Sequence, residues 1–90
     1  MDLTKFKNSE KTLVDVRSPE EFSQNHVPGA INIPLDQITE RLDEFEKMKT
    51  PIIAYCRSGS RSGMATSILK QHGYEAFNGG GLTDVLQTIN

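Results

Sequence analysis

The sequence predicts an α/β fold in which a mainly parallel sheet is covered by helices. Short apolar runs alternate with helix-like stretches along the 90 residues, the pattern of strand–helix–strand units. The run Ile52-Ile53-Ala54-Tyr55 is almost wholly apolar, as in a strand buried on both faces. No internal repeat, low-complexity tract or Pro/Gly/Ser linker interrupts the pattern, so residues 1–90 are expected to form one domain. Ten Lys plus Arg against twelve Asp plus Glu leave a net charge of −2, which excludes a broadly basic nucleic-acid binder. Hydrophobic residues at 36% and charged residues at 24% suit a soluble globular chain, and no apolar run is long enough to span a bilayer.

The first strand is expected at Thr12-Leu13-Val14-Asp15-Val16. Ser18-Pro19-Glu20-Glu21 then starts a short helix: Ser18 can cap, Pro19 suits the first helical position, and Glu21 completes a capping box. Asn25 is expected as its left-handed C-cap. Val27-Pro28-Gly29-Ala30 turns into a second short strand, Ile31-Asn32-Ile33, which Pro34 stops. Asp36 is expected to cap a helix whose Ile38, Leu42, Phe45 and Met48 form one apolar stripe. Pro51 ends it and the Ile52–Tyr55 strand follows. A helix is expected from about Ser62 to Gln71, with Ala65, Ile68 and Leu69 inward and Gly73 as its stop. Tyr74 to Phe77 alternates like a strand, and Leu82, Val85, Leu86 and Ile89 mark a last helix after Gly79-Gly80-Gly81.

The chemistry-bearing segment is Tyr55-Cys56-Arg57-Ser58-Gly59-Ser60-Arg61-Ser62. It begins at the carboxyl end of the most buried strand, where open α/β sheets bind ligands. A tight loop around Gly59 can turn successive N–H groups inward, and the following helix start adds more, so an anion is attracted. Cys56 stands at the start of this cradle. A helix N-terminus and nearby cations lower a thiol's pKa, and Arg57 and Arg61 are permanently charged, so Cys56 is expected to be a thiolate at neutral pH. The same amides would stabilise negative charge in a transition state. An isolated cysteine after an apolar strand is more often a small buried hydrophobe; a polar, cationic, turning loop behind it argues for a nucleophile. As the only cysteine, Cys56 also excludes an internal disulfide, and neither it nor the two histidines forms a metal-ligand cluster.

Three segments together resemble the rhodanese-like sulfurtransferase domain. They are Val14-Asp15-Val16-Arg17-Ser18-Pro19-Glu20-Glu21-Phe22, His26-Val27-Pro28-Gly29-Ala30-Ile31-Asn32-Ile33-Pro34, and the Tyr55–Ser62 loop; Gly73-Tyr74 and Asn78-Gly79-Gly80 resemble the closing strand and turn. The resemblance spans about residues 12–86. It implies a three-layer fold, a twisted sheet of four to five strands with helices on both faces. The implied activity is transfer of a sulfane sulfur from thiosulfate, a persulfide or a polysulfide to a thiol or cyanide, through a persulfide on Cys56. Arg57, Ser58, Gly59, Ser60 and Arg61 are the expected substrate-binding loop, Arg57 greeting the anionic donor. No metal or organic cofactor is implied, and the partners are small sulfur donors and acceptors or a protein sulfur acceptor.

Other readings stand beside this one. A persulfide carrier serving a protein partner needs the same loop, and a thiol redox sensor would use the same cysteine. Cysteine phosphatases have five residues between Cys and Arg, whereas four separate Cys56 from Arg61, a cradle narrower than a phosphoryl group asks for, so a cysteine phosphatase or arsenate reductase is the lesser alternative. Asp15, Arg17 and Glu21 are expected to be structural, with Asp15 paired to Arg17 or Arg61 or accepting loop amides. His26 is expected to hydrogen-bond backbone, His72 to sit at a helix end, and Met48 and Met64 to fill core or groove. Asp43 and Lys47 form a candidate helical ion pair. Only about eleven residues precede Thr12, so a first helix is expected to be absent or one turn long. Met1–Lys7 lacks the apolar stretch of a secretory signal, which makes the cytoplasm the expected location.

Overall fold

The computed structural model describes residues 3–89. Four parallel strands, β1 (Thr12–Asp15), β2 (Ile31–Asn32), β3 (Ile52–Cys56) and β4 (Ala76–Gly81), form one sheet in the order β2-β1-β3-β4. The helices are α1 (Pro19–Gln24), α2 (Leu42–Glu46), α3 (Ser60–Gln71) and α4 (Leu82–Thr88), with short 3-10 turns at Leu3–Phe6, Leu35–Gln37 and Thr39–Arg41. Among the described residues no helix is long and apolar enough to cross a membrane.

Strand pleating sorts the core into two layers. Val14, Ile52, Ala54 and Cys56 point to the face covered by Phe45 of α2 and by Ala65 and Leu69 of α3. Leu13, Ile53 and Tyr55 point to the other, covered by Val85, Ile89 and the N-terminal turn through Leu3 and Phe6. Every side chain of β3 is buried, which is why its sequence reads as a continuous apolar run. Each fully buried Ile, Leu or Phe here contributes about 1.5–3 kcal/mol relative to exposure. The N-terminal element is indeed a single turn, yet its two apolar residues cover the sheet.

Several expectations are corrected. Asn25 is extended (φ −168°), not left-handed, because the chain leaves α1 straight toward Val27. Asp36 makes no cap: residues 35–46 form two 3-10 turns and then the five-residue α2. The apolar stripe survives that break, since Ile38 and Phe45 are buried and Leu42 and Met48 pack against them. Helix α3 starts two residues earlier than expected, at Ser60, and β4 lies further along, taking in the glycines rather than Tyr74. Leu86 and Met64 face solvent, at 41% and 61% exposure, so neither is a core residue.

Candidate active site

The connection from β1 leads to β2 on one side of the sheet, and that from β3 to β4 on the other. The crevice between the carboxyl ends of β1 and β3 is therefore a topological switch point, where α/β sheets place ligands. Cys56 ends β3 there, 1% exposed, on the α3 side. Gly59 is left-handed (φ 103°) and gives α3 an N-cap without a side-chain hydrogen bond. The first helical N–H groups thus lack a capping acceptor of the usual kind. Sulfur takes part of that role: the Gly59 amide donates to Cys56 Sγ at 3.0 Å and the Ser62 amide at 3.4 Å. Ser62 Oγ lies 3.4 Å from the same sulfur.

These contacts decide the ionisation of the thiol. Burial pushes it up, but the Ser62 hydroxyl and the backbone amides of Ser62, Ser58 and Gly59 together outweigh burial and hold it at about 7, below an ordinary 9.0. Hydrogen bonds, rather than the two arginines, do most of this lowering. Near neutral pH a large share of the sulfur is thiolate.

The two arginines of the loop diverge. Arg61 forms a two-pronged ion pair with Glu21 of α1, at 2.7 and 3.1 Å, while its charge still interacts with Cys56. Glu21 also accepts from the Ser18 amide while its own amide is capped by the Ser18 hydroxyl, so the capping box and the ion pair share one carboxylate. Arg57 is exposed and makes no ion pair among the described residues; it borders an open cavity of about 440 Å³ with Arg17, Glu21 and Thr83. Ser58 and Ser60 are exposed on the loop, Ser60 being the first residue of α3. Of the expected binding loop, backbone at Ser58 and Gly59 reaches the sulfur, whereas the Arg61 guanidinium braces the scaffold.

Asp15, fully buried at the tip of β1, pairs with Arg17: Nε donates to both carboxylate oxygens at 3.0 Å and Nη2 to one at 2.7 Å. The Arg17 amide adds a bond at 2.9 Å. His26 approaches the Phe22 carbonyl at 2.9 Å and stacks on the Phe22 ring. Two residues escaped the sequence reading as site members, Ser62 and Asn78. Ser62 Oγ donates to Asn78 Oδ1 at 2.6 Å, and Asn78 Nδ2 donates to the Gly59 carbonyl at 3.0 Å. The sequence signal for Ser62 is its place at the end of the Tyr55–Ser62 loop, where the helix after Cys56 is expected to start; for Asn78, sixteen residues further on, it is only membership of the Asn78-Gly79-Gly80 segment.

The rhodanese-like domain family matches this sequence over residues 2–86. The chain belongs to the rhodanese-like domain family. It is 45% identical over 74 residues to thiosulfate sulfurtransferase PspE of Escherichia coli, an alignment covering 80% of this chain and 71% of that protein. It is 40% identical over 74 residues to thiosulfate:glutathione sulfurtransferase of Saccharomyces cerevisiae, covering 69% of this chain and only 53% of the relative. Among solved structures, an E. coli rhodanese with anions superposes with a TM-score of 0.75 at 42% identity, over 82% of this chain and 89% of that one. The human single-domain sulfurtransferase TSTD1 gives 0.69 at 26% identity, over 90% and 85%. This rhodanese-like chain is a sulfurtransferase of the rhodanese type.

Proposed function

We propose that the domain moves a sulfane sulfur from thiosulfate, or another persulfide or polysulfide, to a thiol or cyanide, with Cys56 as the nucleophile that carries it. The observation that carries this reading is a buried thiol held near neutral ionisation by the amides of Gly59 and Ser62 at a helix start that has no side-chain cap. Cys56 thiolate attacks the outer sulfur of thiosulfate, a Cys56 S–S bond forms, and the donor S–S bond breaks with its electron pair leaving on sulfite. The charge then rests on the terminal sulfur of Cys56–S–S⁻, which the loop amides solvate. An acceptor thiolate or cyanide attacks that terminal sulfur and the S–S electrons return to Cys56. Atoms and charge balance in both halves without an external oxidant or reductant.

Among the described residues of the site, Arg57 is the cation available to the donor, since Arg17 and Arg61 are committed to Asp15 and Glu21. Arg57→Gln is expected to lower kcat/KM for dianionic thiosulfate about tenfold, and that for a neutral polysulfide much less, because a solvent-facing charge steers more than it binds. The Glu21–Arg61 pair also weighs against a phosphatase, which would need that guanidinium free to hold phosphoryl oxygens. Steady-state turnover with thiosulfate and cyanide tests the reading. Wild type should turn over with a rate that rises with pH through about 7, the ionisation range of Cys56, and Cys56→Ser should lose at least about a thousandfold. Undiminished turnover in the serine variant overturns the proposal; negligible wild-type turnover with a stable added sulfur favours the carrier reading.

A further inference from the structure

We propose that Asn78, acting through the Ser62 hydroxyl, is a positioning residue that opposes ionisation of Cys56 and yields as charge builds on its sulfur. The inference rests on Cys56 being the sulfur-carrying nucleophile and goes beyond it by assigning the group that sets when that nucleophile is armed.

Asn78 lies in β4 opposite Ala54, and between that pair and the next, Cys56 with Gly81, the register slips. Left-handed Gly80 (φ 83°) accompanies this bulge. The amide of Asn78 reaches the first turn of α3 because Gly63 has no side chain there; a Cβ would stand 3.3 Å from Nδ2. Its orientation is fixed by two backbone groups of opposite kind. Nδ2 faces the Gly59 carbonyl, which only accepts, and Oδ1 faces the Gly80 amide at 2.9 Å, which only donates. Oδ1 must then accept from Ser62 Oγ, and at 2.6 Å that bond is short.

A hydroxyl has one proton. While it points at Asn78, Ser62 Oγ can only accept from sulfur, so the network Cys56 S–H to Ser62 Oγ–H to Asn78 Oδ1 is complete for the neutral thiol. For the thiolate, the hydroxyl must swing to Sγ, and Asn78 Oδ1 is left with the Gly80 amide alone. Asn78 at 2.6 Å, the sulfur at 3.4 Å and, with the same long reach, the Gly80 carbonyl at 3.4 Å compete for that one proton, and Asn78 holds the short bond. In the persulfide, Sγ is neutral and the hydroxyl can return to Asn78; when the acceptor attacks, negative charge grows on Sγ as the leaving atom and the hydroxyl can swing again to meet it. Of the charged groups around this network, Arg61 also interacts with the Cys56 charge. Arg61 of α3 pairs with Glu21 of α1, Asp15 of β1 with Arg17, and Asp84 of α4 accepts from the Gly81 amide at 2.8 Å; Arg57 of the loop faces solvent. All remain in place in the variants below.

The test is the pH dependence of Cys56 alkylation by iodoacetamide, which reads ionisation without requiring sulfur transfer, so its outcome is separable from failure of the sulfurtransferase reading. Ser62→Ala removes a donor to the thiolate and should raise the midpoint by about one pH unit. Asn78→Leu removes the short bond that holds the hydroxyl, leaving only the Gly80 carbonyl at 3.4 Å to compete with the sulfur, and should lower the midpoint by several tenths of a unit, and should leave it unchanged when Ser62 is already Ala. Asn78 is solvent-exposed, so water can meet Gly59 and Gly80 and the fold is expected to survive. Asn78→Asp keeps size and offers a stronger acceptor; its upward shift should be larger with Ser62 present than with Ala at that position. Equal shifts in the two backgrounds, for either Asn78 variant, overturn the proposal, as does a raised midpoint in Asn78→Leu.

Discussion

Two strand-to-helix junctions stand side by side at the carboxyl end of the sheet, and they begin alike. At the tip of β1, buried Asp15 is followed by Val16, Arg17 and Ser18; at the tip of β3, buried Cys56 is followed by Arg57 and Ser58. In the first, every strong group finds a partner nearby. Arg17 clasps Asp15, and Ser18 with Glu21 closes the start of α1. In the second, Gly59 replaces the capping side chain and Arg57 turns to solvent, so helix-start amides are left for the sulfur. A junction that satisfies itself is scaffold. One whose donors converge on an ionisable sulfur can hold and release an anion.

The comparison can be broken at its scaffold end with the largest effect. Asp15→Ala leaves the Arg17 guanidinium buried without a counter-charge, keeping only its bond to the Asn25 carbonyl at 2.6 Å, which should cost about 3–5 kcal/mol in urea unfolding; a loss under about 1 kcal/mol would show that Asp15 is not what neutralises Arg17. At the other junction, Gly59→Ala forces a side chain into a left-handed conformation, with its Cβ 3.4 Å from the Gly80 Cα. The backbone strain should cost about 1–2 kcal/mol, and the Cys56 alkylation midpoint should rise as the Gly59 amide shifts from the sulfur. An unchanged midpoint would remove Gly59 from the account of thiolate stability.

A smaller effect links the two junctions. Arg61 first, and then the Ser18 backbone, holds the Glu21 carboxyl at about 2, from an ordinary 4.5. A carboxyl whose folded pKa is depressed contributes stability that is present above its unfolded value and is lost as pH falls toward the folded one. The Glu21 contribution should therefore be full above about 4.5 and fade toward 2. With the Arg61 guanidinium 37% exposed, solvent limits the pair to about 0.5–1 kcal/mol. Glu21→Gln should flatten the decline of urea stability across that acid range; a slope identical to wild type would mean the pair contributes nothing.

The same contrast explains what could be read from the sequence. The Ser18–Glu21 box, the β3 run and the Cys56 loop were legible because local chemistry determines them. Arg61's partner was not, because Glu21 lies 40 residues away and only the packing of α1 against the loop brings them together. Strand β4 was misplaced because Asn78-Gly79-Gly80-Gly81 has the composition of a turn. Those glycines serve close approach instead: a Cβ on Gly79 would stand 3.0 Å from Ile53 and Val85, and one on Gly81 would collide with the Arg57 carbonyl. The Asp36 region failed differently, its apolar spacing being kept while the backbone tightens into 3-10 turns.

The central claim is that the second junction is built to hold an added sulfur. Intact-mass and peptide mass spectrometry after brief exposure to thiosulfate, with cyanide then added, tests it directly. The account predicts a gain of one sulfur atom, about 32 Da, confined to the peptide containing Cys56, dependent on the uncapped start of α3, and erased by cyanide. An unmodified Cys56, in a protein that is folded and whose thiol still alkylates near neutral pH, would contradict it.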